Sequence, residues 1–170
     1  REYQGKFDSF TCCVGTGMES HALHGDGVYY ESGDKLWINL YTPSTADWAS
    51  RKTKIEVTTD FPEGESVSIK VSPDQKKPLT LSLRRPAWAG DGFSIRINGG
   101  EVTNPAAPGN YIDLTREWQT GDVIEMKLPK KLRLEPTPDN SKRTAILWGP
   151  LVLAGDLGEE NHPRKAGDEL

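Results

Sequence analysis

A chain of 170 residues has room for one domain with a substantial core, and 35% hydrophobic against 27% charged residues, with 17 Gly and 12 Pro, marks a soluble, turn-rich globular class. A net charge of −4 argues against nucleic acid or an anionic membrane as partner. No run of ~18 apolar residues is present, so no membrane-spanning helix is expected.

Arg1 to Phe10 is polar and irregular and reads as loop. The next ten residues, Thr11-Cys12-Cys13-Val14-Gly15-Thr16-Gly17-Met18-Glu19-Ser20, hold both cysteines. Neighbouring Cα atoms are ~3.8 Å apart, below the usual disulfide window, so a Cys12–Cys13 bridge would be strained. With no other cysteine as partner, the residues are a pair of thiols. A thiolate is a nucleophile and a soft ligand for Zn²⁺, whereas inert burial is the commoner fate of a free cysteine; the residues alone leave both readings open. Gly15-Thr16-Gly17 fits neither a dinucleotide fingerprint nor a P-loop.

Gly15 to His24 predicts a short helix carrying Met18, His21 and Ala22, stopped at Gly25-Asp26-Gly27. Glu19 is the nearest carboxylate to the cysteines, but a capping or turn role is the stronger reading. His21 and His24, three apart, share a helical face. They lack a clear third ligand, so substrate-side or packing roles are preferred to metal binding. His162, in a polar tail, reads as solvated.

Strands follow. Val28–Glu31 and Lys35–Thr42 flank the hairpin signal Ser32-Gly33-Asp34. Ile55, Val57 and Thr59 end at Phe61-Pro62; Val67, Ile69 and Val71 end at Pro73. Leu79, Leu81 and Leu83, then Phe93, Ile95 and Ile97, then Ile124, Met126 and Leu128 each alternate with polar residues. Glu101 to Asn110 is loop, Tyr111–Leu114 strand, and Thr115–Trp118 a single turn. Leu132 and Leu134 lie beyond Pro129, and Ala145 to Leu153 reads as a strand covered on both sides, interrupted at Gly149-Pro150. Lys127, Lys130, Lys131 and Arg133 suggest an edge strand guarded by charge. Trp37 and Trp88 are candidates for a sugar platform, with core packing the commoner role. The pattern predicts an all-β fold, an antiparallel, jelly-roll-like β-sandwich.

Phe10-Thr11-Cys12-Cys13-Val14-Gly15-Thr16-Gly17-Met18-Glu19-Ser20-His21 and Gly25-Asp26-Gly27-Val28-Tyr29-Tyr30 resemble the end of the catalytic domain of β-L-arabinofuranosidases, glycoside hydrolases of families 127 and 146. Leu83-Arg84-Arg85-Pro86-Ala87-Trp88-Ala89, Arg116-Glu117-Trp118-Gln119-Thr120-Gly121-Asp122 and Trp148-Gly149-Pro150-Leu151-Val152-Leu153-Ala154 resemble the sandwich that follows it. Some members continue the cysteine pair with two prolines; Val14-Gly15-Thr16-Gly17 places this chain nearer family 146. The resemblance implies a zinc ion held by an upstream Glu and Cys together with Cys12 and Cys13. Cys12 is then the nucleophile, Cys13 a structural ligand, and an upstream Glu the acid/base. Three segments are expected: residues 1–26, which the resemblance makes a loop and helix remnant of an (α/α) barrel; residues 27–157, the sandwich; and residues 158–170, where the sequence has turned polar, a linker or tail. The implied partners are an arabinose-containing oligosaccharide or glycoconjugate and the upstream catalytic domain, and the isolated chain is expected to be inactive. Two rivals stand beside this reading, a carbohydrate-binding module and a structural interaction domain. No compartment follows from these residues.

Overall fold

Strict alternation of buried and exposed side chains builds most of the protein. The computed structural model describes residues 11–156; the loop expected at Arg1–Phe10, the linker at 158–170 and His162 lie outside them. The chain forms two compact units, divided between Pro129 and Lys130.

The first unit opens with helix α1 (Thr11–Ala22). It begins four residues earlier than the spacing predicts and so takes both cysteines into its first turn. Gly15 and Gly17 are tolerated inside it at a cost of about 1 kcal/mol each. After Ala22 the chain leaves the helix through turns, with the Asp26 N–H donating to the Leu23 carbonyl at 3.0 Å.

A four-stranded sheet follows in the order β1 (Tyr29–Ser32), β2 (Lys35–Ile38), β6 (Pro78–Arg84), β9 (Tyr111–Glu117). Gly33, with φ of 59°, takes the first position of the two-residue β1–β2 loop, a conformation glycine adopts freely. The pairing of β2 with β6 is parallel; the other pairs in this sheet are antiparallel. The six-stranded sheet runs β3 (Ser44–Trp48), β4 (Thr53–Thr59), β5 (Ser66–Pro73), β10 (Asp122–Lys127), β7 (Ser94–Ile97), β8 (Gly100–Glu101). Between β7 and β8, Asn98 and Gly99 both have positive φ, the conformation of a type I′ hairpin.

Inward residues of both sheets form one core. Leu36, Ile38, Leu81 and Leu83 from the first meet Ile55, Ile69, Val71, Ile95 and Ile124 from the second. Trp118 closes it, fully buried, with its indole N–H donating to the Leu79 carbonyl at 3.0 Å. The fold is the expected all-β sandwich.

Several local expectations are corrected. Thr115–Trp118 is not a turn: β9 continues to Glu117 because Thr115 and Arg116 pair with Thr80 and Leu79, and the Thr80 and Thr115 hydroxyls bond at 2.8 Å. The second strand stops at Ile38 rather than Thr42, and β3 was not anticipated, since Ser44–Trp48 carries only one large apolar residue. Lys127 lies on β10, an interior strand, and Lys130 and Lys131 lie in no strand, so the cationic run does not share one edge.

The second unit, described to Asp156, is a three-stranded antiparallel sheet, β11 (Leu132–Pro136), β12 (Thr144–Trp148), β13 (Leu151–Val152). The run Ala145–Leu153 is therefore a hairpin folded at Gly149-Pro150, with Gly149 at φ 59°, and not one covered strand. Its register aligns Leu132 with Trp148, Leu134 with Ile146, and Trp148 with Leu151. All five side chains are exposed, so this sheet carries a bare apolar face.

Candidate functional site

Cys12 and Cys13 sit in the first turn of α1, both exposed and both free thiols. Successive helical residues point ~100° apart, yet the two sulfurs stand 3.8 Å from each other. Two thiolates sharing one tetrahedral zinc with ~2.3 Å bonds are separated by about 3.8 Å, the edge of that tetrahedron. The pair fits half of such a donor set. The Thr16 hydroxyl donates to the Cys12 carbonyl at 3.0 Å and ties the turn that presents the sulfurs.

The helix separates the other candidates from the thiols. His21 is nine residues from Cys12, which places it ~13 Å along the axis and on the opposite side. The His21 and His24 rings meet edge to face with centroids 5.0 Å apart, a histidine pair at the far end of α1. Glu19 returns to the face of Cys12 but ~10 Å away, exposed. Among the described residues no three His, Cys, Asp or Glu side chains are grouped to hold a metal.

Two carboxylates that the sequence reading passed over are the most tightly held in the sandwich. Burial pushes the Asp113 carboxyl up. Hydrogen bonds from Lys35 Nζ at 2.7 Å and Ser82 Oγ at 2.6 Å, with the Lys35 charge, outweigh this and hold it below the ordinary Asp value. Asp122 behaves alike: burial raises it, but the Gln119 N–H, the Asn98 amide and the Arg116 charge lower it further. Both networks are internally complete and read as structural. Burial likewise raises the Tyr41 phenol, which donates to the Arg84 carbonyl at 2.6 Å.

Arg85 explains why the run Arg84-Arg85-Pro86-Ala87-Trp88 has its composition. Its guanidinium donates to the carbonyls of Ala89, Ala106 and Gly90 at 2.8–2.9 Å and lies 4.5 Å over the Phe93 ring. Of the two Trp candidates, Trp88 is stacked on Phe61 at 6.0 Å and packs against the core. Trp37 lies half-buried on the outer side of β2, with Lys35 Nζ 4.8 Å over its ring. No signal short of strand register would have revealed Asp113, whose partner Lys35 is 78 residues away.

Among the described residues no helix is long and apolar enough to cross a membrane. No curated protein sequence matches the chain. Among solved structures it is similar to a GH127 β-L-arabinofuranosidase from Geobacillus stearothermophilus T6, with 27% identity and a TM-score of 0.75 over 89% of this chain and 25% of that one. Two others, at 22% identity, share the fold. A glycoside hydrolase has a TM-score of 0.76 over 89% of this chain and 26% of its own. A GH127 β-arabinofuranosidase has a TM-score of 0.62 over 74% and 23%. The chain thus spans about a quarter of the length of the solved proteins it matches. The family model for the middle domain of GH127 β-L-arabinofuranosidases matches residues 35–130, more than half of the sequence and nearly all of the sandwich. By that match, the chain belongs to the GH127 β-L-arabinofuranosidase middle-domain family.

Proposed function

We propose that the chain is the nucleophile-bearing part of a retaining glycoside hydrolase that releases L-arabinofuranose from an arabinose-containing glycan. Family membership of the sandwich supports the reaction class, and the 3.8 Å separation of the two sulfurs supports the site. Cys12 and Cys13 would hold a zinc ion, with its remaining ligands supplied from an upstream catalytic domain. Bound zinc keeps a thiol ionised at neutral pH and fixes its direction.

The Cys12 thiolate attacks the anomeric carbon. A C–S bond forms as the bond to the leaving oxygen breaks, and a carboxylic acid of the catalytic domain gives that oxygen its proton. Water, deprotonated by the same carboxylate, then displaces Cys12 and releases the sugar with its configuration retained. Cys13 positions and does not attack. On this reading the 170-residue chain alone has no turnover.

The test is zinc content and hydrolysis of an aryl β-L-arabinofuranoside by the full-length enzyme, wild type and Cys12→Ala. The expected result is loss of turnover in the variant with its fold retained. Undiminished hydrolysis, or a native enzyme free of metal, would overturn the proposal.

A further inference from the structure

The two outward faces of the sandwich differ in how far their polar groups satisfy one another. On the four-stranded sheet Lys35 and Ser82 bond to Asp113, Thr80 to Thr115, and Tyr111 to Asn39. On the six-stranded sheet the register aligns Thr58, Ser68, Glu125 and Arg96 in one row across β4, β5, β10 and β7. Ser66, Lys127 and Ser94 form the next row. With Asp60 at one end, these residues line an open groove of about 790 Å³, within the size range of ligand clefts.

The side chains of both rows make no hydrogen bond or ion pair to one another. Arg96 and Glu125 stand directly opposite across the strands, and among the described residues they share no hydrogen bond or ion pair. Strands ~4.8 Å apart make the first row ~14 Å long, enough for more than one sugar ring. The cations Arg96 and Lys127 are balanced by Glu125 and Asp60, so an anionic polymer meets no net attraction. A neutral chain of hydroxyls, each both donor and acceptor, meets donors, acceptors and hydroxyls side by side.

We propose that this groove binds a neutral oligosaccharide strand laid across β4, β5, β10 and β7. Neither thiol and no metal takes part, so the groove is tested independently of the reading of Cys12. The experiment is an amide-shift titration of the ¹⁵N-labelled 170-residue chain with a linear neutral arabino-oligosaccharide, with an oligogalacturonate of equal length as the anionic comparison. Shifts should gather on β5, β7 and β10. Affinity should fall at least about tenfold in the double variant Arg96→Ala, Glu125→Gln, and stay unchanged in Lys54→Ala and Cys12→Ala. If the double variant loses its fold, Lys127→Gln gives the same reading with a smaller loss. Absence of shifts at about 10 mM sugar, shifts centred on Trp37 and Tyr30, or preference for the galacturonate would each overturn the proposal.

Discussion

Replacing Arg85 by Met keeps the length and apolar stem of the side chain and removes its three hydrogen bonds to the carbonyls of Ala89, Gly90 and Ala106. Bonds from a charged donor contribute at least about 1.5 kcal/mol each, and the contact with Phe93 adds about 0.5 kcal/mol. Arg85 is half-buried, so water partly replaces the lost donor, and a net cost of about 3 kcal/mol follows. With a urea slope of ~2 kcal/mol/M the midpoint moves down by about 1.5 M. Arg85→Lys, a point charge that reaches one carbonyl at a time, should recover only about a third of the loss. Equilibrium urea unfolding followed by tryptophan fluorescence measures this, and hydrogen exchange at Ala89, whose N–H donates to Pro86, localises it. A shift under about 0.3 M in Arg85→Met, or a lysine variant as stable as wild type, would refute the reasoning.

Stability should also fall in acid in a defined window. Hydrogen bonds and neighbouring cations hold Asp113 and Asp122 below the ordinary Asp range, so their contribution is present above about pH 4 and is lost as pH drops through their lowered folded values. Asp122→Asn should flatten the stability curve measured between pH 2 and 5. Trp118→Ala should cost about 3–5 kcal/mol in urea unfolding, and Trp118→Phe about 1–2 kcal/mol, since the Leu79 carbonyl loses its donor. Lys at Leu132 and Ile146 should lower binding of a hydrophobic dye with little change in unfolding midpoint, because both side chains are exposed.

The sandwich was legible because its strands alternate so regularly: Ile55/Val57, Val67/Ile69/Val71 and Leu79/Leu81/Leu83 each announce one buried face. Propensity failed at Thr115–Trp118, where tertiary pairing with β6 extends a segment that local sequence reads as turn. Ala145–Leu153 misled for the opposite reason, since a continuous apolar run cannot say whether anything covers it. The cysteine pair was visible as chemistry, but its 3.8 Å spacing was not. Nor was the groove: Ser68, Glu125 and Arg96 are unremarkable outward residues until register sets them side by side.

The parallel pairing of β2 with β6 has a consequence for how the first unit comes together. Between Ile38 and Pro78 the chain lays down β3, β4 and β5 of the opposite sheet, and between Arg84 and Tyr111 it crosses again for β7 and β8. Each layer is therefore sewn through the other, and no uninterrupted length of polypeptide can finish either one. Such wiring makes assembly slow and nearly all-or-none, and a cut anywhere from Ile38 to Tyr111 should leave two pieces that are ordered only when they find each other.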